Sequence, residues 1–312
     1  MRTMKTQAVL VLALVCAACL APGSAAAQAV PSPTEGDFAG SVDIGDGRSL
    51  WLECRGKGSP TVILENGLRS RGDFWSTALD ATTPTPYVLP GIAAFTRVCT
   101  YDRPGTTLGT EAFSRSTPVP MPRTARDTVS DLDRLIRNAG LEGPFVLAGH
   151  STGGLIARLY AAAHPRQVAA LVQVDALTED LDRFFTDAQM AAFDDLNNGP
   201  IEGLDYPDLE RVLFRPSFAE LRRALRRQPL ANIPVSVITR GLPVELPAGL
   251  PAGLTTDVLV RVWAQAQARL ARLTPRTRQT IAARSSHYVM FSEPGLIIRE
   301  VERIVESVRR GR

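Results

Sequence analysis

Short apolar runs alternate along this chain with longer amphipathic stretches, the signature of strands and helices taken in turn. Residues 41–44 and 49–55, parted by Gly45, Asp46 and Gly47, predict a hairpin. Residues 61–64, 97–101, 145–148, 169–174 and 235–239 are short runs rich in Val, Ile and Leu, suited to strands buried on both faces of a parallel sheet. A last strand is expected over 280–283. Between them the period lengthens: residues 124–139 put Val129, Leu132, Leu135 and Ile136 on one stripe and end at Gly140, a natural residue just past a helix. Residues 155–163, 255–273 and 294–309 are further helices, the last carrying Ile297, Ile298, Val301, Ile304 and Val305. The order predicts an α/β fold, a mostly parallel, doubly wound sheet covered on both faces.

Residues 178–232 break that rhythm with mostly helical, amphipathic composition, which predicts a helical cap inserted into a core formed by 38–177 and 233–312. Inside the insertion, Leu221 and Leu225 with Arg222, Arg223, Arg226 and Arg227 outline a helix with one basic face. A hydrophobic fraction of 45% and a charged fraction of 21% in 312 residues are globular values, so disorder, collagen and coiled coil are excluded as the main architecture.

The N-terminus changes how charge and cysteines are read. Arg2 and Lys5 precede an apolar run from Ala8 to Leu20, then the small residues Ala25, Ala26, Ala27 and Ala29. This pattern predicts a signal peptide over 1–29, followed by a Pro-containing leader over 30–37, and places the protein outside the cytoplasm, secreted or periplasmic. The apolar run is shorter than the ~20 residues a spanning helix needs, so no stable membrane span is expected after cleavage. Lipidation at Cys19 is the alternative, although Cys16 stands where an aliphatic residue usually precedes such a site. Removing Arg2 and Lys5 from 35 basic residues leaves 33 against 32 acids, which withdraws the charge argument for a nucleic-acid partner. Only Cys54 and Cys99 remain, an even pair that suggests one disulfide in an oxidising compartment; two buried thiols are the alternative. Neither these cysteines nor three histidines show metal-ligand spacing, and no cofactor motif is present.

The chemistry concentrates at Gly149-His150-Ser151-Thr152-Gly153-Gly154, between an apolar strand and a helix. This is G-x-S-x-G in the strand, turn, helix context that exposes a nucleophile at the end of a sheet. Ser151 needs a base, because a free hydroxyl is weakly nucleophilic near neutral pH. His150 adjoins the nucleophile and reads as a packing residue or as a support behind the catalytic side chains, and His164 closes the following helix. His287, in the loop after the last strand, is the candidate base. The orienting acid has three candidates: Asp175, at the end of the strand over 169–174, is favoured over Glu245 and Asp257, because Arg240 and Gly241 stand where an acid commonly follows the next strand. Two N–H donors for a developing oxyanion are expected from Thr152, directly after the nucleophile, and Leu68, in the Glu65-Asn66-Gly67-Leu68 loop.

These segments, together with Cys99-Thr100-Tyr101-Asp102-Arg103-Pro104-Gly105 and Leu171-Val172-Gln173-Val174-Asp175-Ala176, make the chain resemble the α/β-hydrolase superfamily, and more narrowly secreted bacterial serine-esterase-like hydrolases. The resemblance covers residues 41–177 and 233–309 and leaves the cap unmatched. It implies a sheet in which the second and fourth strands are neighbours, making Cys54 and Cys99 cross-strand partners, and a loop held beneath the pocket by Tyr101, Asp102 and Arg103. It departs from the familiar elbow at Thr152, where leucine is usual, and in lacking an acid after the strand over 235–239. The implied activity is hydrolysis of a small-molecule carboxylic ester through an acyl-enzyme. An amide, aminopeptidase-like, lactone or carbon–carbon hydrolase is the alternative, the acids Glu179, Asp180, Asp182, Asp187, Asp194 and Asp195 making amino-terminal recognition conceivable; a non-catalytic binding protein is the third class. The oligomeric state is left open.

Overall fold

The structure is a computed structural model that describes residues 32–34, 36–230, 232–244 and 250–311. The expected signal peptide, Cys19 and Glu245 fall outside the described residues. In chain order the elements are β1 (Phe38–Gly45), β2 (Arg48–Arg55), β3 (Val62–Glu65), α1 (Val88–Ala93), β4 (Val98–Tyr101), β5 (Thr107–Leu108), β6 (Ala112–Phe113), α2 (Ala125–Asn138), β7 (Phe145–His150), α3 (Thr152–Ala163) and β8 (Val168–Val174). Then come α4 (Leu181–Phe184), α5 (Asp187–Asn198), α6 (Phe214–Arg227), β9 (Val235–Arg240), α7 (Thr256–Leu270), β10 (Thr277–Ala282), α8 (Val289–Ser292) and α9 (Pro294–Arg310).

Eight strands form one sheet in the order β1-β2-β4-β3-β7-β8-β9-β10, while β5 and β6 make a separate ribbon. Only the β1–β2 and β2–β4 pairs in the large sheet are antiparallel. Because successive strand residues face opposite sides, each buried strand feeds two cores. Ile63, Leu147, Leu171 and Val237 pack with Leu132 of α2, Ile156 of α3 and Leu259 of α7. Their neighbours Val62, Val146, Val172 and Ile238 pack with Leu89 of α1 and Val301 and Val305 of α9. Helices therefore cover both faces, which is the α/β-hydrolase architecture.

Local rules account for the elements that frame the site. The Thr124 side chain accepts from Asp127 N–H and the Asp127 carboxylate accepts in return, a capping box that starts α2. On the other edge, β10 begins at Thr277, ahead of the expected residue 280. It is an edge strand whose polar first half faces solvent, so no apolar run marks it. α1 was not expected at all, since six residues are too few to display a helical period.

Cys54 stands opposite Cys99 in the antiparallel β2–β4 register, and the two form a disulfide. The bond ties positions 45 residues apart, which in the chain-entropy view raises stability by about 4 kcal/mol. Among the described residues no helix is long and apolar enough to cross a membrane.

Candidate active site

The carboxyl ends of β7, β8 and β9 lie side by side in the sheet, and the candidate residues sit where these strands stop. Ser151 follows β7 with φ +51° and ψ −123°, a backbone conformation that costs an L-residue of order 1–3 kcal/mol and persists only when its surroundings enforce it. Here Ser151 N–H donates to Val174 O at 3.1 Å, and its own carbonyl accepts from Gly154 at 3.0 Å and Leu177 at 2.8 Å. The flanking glycines are sterically required. A Cβ on Gly149 would lie 2.4 Å from Gly153 O, and one on Gly153 would lie 2.3 Å from Glu65 O. α3 starts immediately at Thr152, so Ser151 stands at its positive end.

His287 and Asp175 are brought together: His287 Nδ1 and Asp175 Oδ2 are 2.7 Å apart. The carboxylate is fully buried and held from three further directions. Trp263 Nε1 of α7 donates to Oδ1 at 3.0 Å, Arg240 Nη1 donates to Oδ2 at 3.0 Å, and Arg240 N–H reaches Oδ1 at 3.4 Å. Burial pushes the Asp175 carboxyl up, but the hydrogen bond and charge of His287, then Arg240 and Trp263, outweigh it and hold the group below its ordinary value. Asp175 is thus an anion facing the ring nitrogen, which fixes Nδ1 as the protonated one and leaves Nε2 free to accept. Among the described residues no hydrogen bond joins Ser151 to the His287 ring, yet both line the same two cavities. Asp257, in contrast, is exposed in the first turn of α7.

Those cavities differ in character. One, about 420 Å³, is bordered by Gly67, Leu68, Arg69, Thr107 and Tyr288. The other, about 110 Å³, is lined by Leu177, Phe193, Phe214, Leu259 and Trp263. They meet at Ser151, His287, Leu196 and Asn197. The Gly67 loop abuts the nucleophile so closely that a Cβ on Gly67 would lie 3.4 Å from Ser151 Cβ. Neither Leu68 N–H nor Thr152 N–H has an acceptor among the described residues.

The other two histidines take different places. His164 ends α3 as its C-cap and stacks on Tyr160. His150 does more than fill space, because its Nε2 lies 2.9 Å from His287 O and ties the base-bearing loop to β7. Burial pushes the His150 imidazole down to about 3, with the His287 charge adding to the effect. The unfolded chain takes up this proton near 6.5 and the folded chain does not until about 3, so the unfolded state binds more protons in between. Acidification from pH 6.5 to 4.5 should therefore cost on average about 1 kcal/mol of stability per pH unit through this one residue. Denaturant melts at pH 6.5, 5.5 and 4.5 check this: the slope of stability against pH should flatten by that amount in His150→Gln, and parallel slopes would refute it. The window lies above the range in which Asp175 contributes.

Sequence reasoning missed Arg240, Trp263 and Glu210. Arg240 carried a usable signal, a guanidinium closing a mostly buried strand at the sheet's carboxyl end. Glu210 carried none, since its partner Arg103 lies 107 residues away.

Residues 62–300 match the alpha/beta hydrolase family, and the chain belongs to it. Lipase LipV of Mycobacterium tuberculosis is 44% identical over 152 residues, 47% of this chain and 51% of that protein. A transporter-named fungal relative, efuK of Hormonema carpetanum, is 27% identical over 89% of this chain, which spans only 44% of that protein's length. In solved structures the fold is similar to carboxylesterase CesB of Bacillus subtilis, at 16% identity, a TM-score of 0.52 and coverage of 86% of this chain and 92% of the other.

Proposed function

We propose that the protein is a serine hydrolase that cleaves a carboxylic ester through Ser151, His287 and Asp175. The observation that carries this reading is the 2.7 Å contact between His287 Nδ1 and the buried Asp175 carboxylate, with Ser151 on a strained turn bordering the same cavities. In this mechanism His287 Nε2 takes the Ser151 proton as Oγ attacks the substrate carbonyl carbon. The resulting oxyanion accepts from the N–H groups of Thr152 and Leu68. His287 then hands its proton to the departing alcohol, leaving an acyl-serine. Water, deprotonated by the same ring, attacks that ester, and the carboxylic acid departs as the ring returns the proton to Ser151 Oγ. A lipase among the relatives and a carboxylesterase among the similar folds support the choice of an ester.

The smaller cavity, walled by Phe193, Phe214 and Trp263, suits a short apolar group, and the larger one suits the other half of the ester. Residues 178–232 act as the cap that walls the smaller cavity through Phe193, Leu196 and Phe214 and the larger through Leu196, Ile201 and Leu204. The amide reading is less well supported, because amino-terminal recognition needs uncommitted acids at the site. Glu179, Asp180, Asp182 and Asp187 are instead paired with Arg158, Arg269, Arg222 and Arg215, and Asp194 and Asp195 border neither cavity at Ser151. The Cys54–Cys99 disulfide supports an exported, secreted or periplasmic protein of the esterase-like kind.

The test is turnover of p-nitrophenyl esters of increasing acyl length beside aminoacyl anilides, with a fluorophosphonate probe to find the nucleophile. Short-chain esters should turn over, and mass spectrometry should place the adduct on the peptide containing Ser151. Anilides outpacing every ester would overturn the ester assignment, and labelling that survives Ser151→Ala unchanged would overturn the nucleophile.

A further inference from the structure

The loop that carries Leu68 is held from beneath by a buried charge cluster that no step of the mechanism above uses. Arg103, fully buried after β4, donates Nη2–H to Gly67 O at 2.6 Å and Nη1–H to Asn66 O at 2.9 Å. Two carboxylates grip its guanidinium: Glu65 Oε1 at 2.7 Å from Nη1, and Glu210 Oε1 at 2.6 Å from Nε. Glu210 comes from the inserted segment between α5 and α6, and its second oxygen accepts from Nη2 at 3.0 Å and from Arg69 N–H at 2.6 Å. Arg69 itself has φ +62°, an unfavourable conformation for arginine that these bonds maintain.

The geometry has a direct consequence for the oxyanion donor. Gly67 C=O and Leu68 N–H belong to one planar trans peptide, so they point in opposite directions. Drawing the carbonyl onto Arg103 turns the N–H away from Arg103, on a loop where a Cβ at Gly67 would meet His150 Nδ1 at 2.7 Å and Ser151 Cβ at 3.4 Å. The next peptide is fixed as well, because its N–H, that of Arg69, is bound by Glu210.

We propose that Arg103 and Glu210 are positioning residues that aim Leu68 N–H at the oxyanion, so that the inserted segment tunes the rate of acyl transfer through Glu210. The proposal rests on the ester-hydrolase reading and refines it. An ordinary structural salt bridge would affect how much protein folds. A positioning pair should also affect how well each folded molecule stabilises the transition state, and hence kcat more than KM.

The experiment compares Glu210→Gln and Arg103→Lys with the wild type. kcat and KM are measured on a p-nitrophenyl ester, with kcat expressed per Ser151 site titrated to completion by fluorophosphonate, so that unfolded molecules drop out. Affinity for an alkyl boronic acid, whose serine adduct puts a negative oxygen in the oxyanion position, is measured in parallel. Removal of one oxyanion donor costs ~10²–10³ in rate, so a donor held less well should cost about 10- to 100-fold in kcat per site. KM should change by less than about twofold, and boronate affinity should fall with kcat. Per-site kcat and boronate affinity within about threefold of wild type in either folded variant overturn the proposal and leave the triad intact. A wild type that neither hydrolyses esters nor labels at Ser151 overturns the functional reading, and this refinement with it.

Discussion

Ser151→Ala should lower kcat on an ester by about 10⁶-fold, and His287→Ala made on top of it should cost almost nothing more. A hydroxyl and its base act as one unit. With the hydroxyl gone, the ring has no proton to take, and with the ring gone, Oγ stays protonated and poorly nucleophilic at neutral pH. Additive losses would instead mean that two residues contribute separately. Activity of ~10³–10⁴ over the uncatalysed reaction should survive in both single variants and the double one, because the proposed oxyanion donors, Leu68 and Thr152 N–H, are untouched by either substitution. Steady-state kinetics on all three variants, with melting temperatures to confirm folding, decide the matter. A Ser151→Ala protein within tenfold of wild type, or a double variant several orders of magnitude below either single one, contradicts a shared proton-transfer unit.

How much of this was legible in the chain varies with the range of the interaction. The strands β3, β4, β7, β8 and β9 were visible because both their faces are largely buried, so each is a short run rich in apolar residues. β10 was misplaced by three residues because it is an edge, with Arg278 and Gln279 exposed. The elbow was visible because the tight turn needs glycine on both sides of Ser151, a purely local demand. The partnership of Cys54 with Cys99 depended on strand order, which came from resemblance and not from spacing. Everything that surrounds the Asp175 carboxylate, by contrast, is assembled across elements. Arg240 is 65 residues away in sequence and Trp263 is 88, and no short-range pattern records either distance. The Arg103 cluster has the same character: the sequence suggested a role beneath the pocket, and only the fold brings Glu210 to it.

That assembly also explains how an acid can sit at the end of β8. The position closing β9 is occupied by Arg240, whose guanidinium lies over the Trp263 ring at 5.0 Å and on Asp175 Oδ2 at 3.0 Å. A carboxylate at the end of β8 therefore meets a cation at the end of β9, and the neighbouring strand supports the charge of the acid it does not itself supply. Arg240 also competes with His287 for the same oxygen, so the carboxylate is shared between a guanidinium and the imidazole ring.

The sharpest discrimination among the acids follows from this sharing. Asp175→Asn should lower kcat per folded molecule by up to ~10⁴, through the tautomer of His287 rather than through lost charge alone. An amide offers one acceptor where the carboxylate offers two. If its oxygen keeps the Trp263 N–H, its nitrogen faces His287 Nδ1 as a donor, and the ring must put its proton on Nε2, the atom that has to accept from Ser151. The same nitrogen faces Arg240 Nη1, a donor against a donor, so the variant should also lose about 1–3 kcal/mol of stability. Turnover must accordingly be normalised to folded protein. Asp257→Asn should leave kcat unchanged, since that side chain is exposed at the start of α7 and the substitution alters only a first-turn charge worth at most ~1 kcal/mol to the helix. Glu245→Gln should likewise retain activity. Kinetics and thermal melts on the three variants separate the candidates: near-wild-type kcat in folded Asp175→Asn, or a collapse of kcat in Glu245→Gln or Asp257→Asn, would remove Asp175 from the triad while leaving Ser151 and His287 in place.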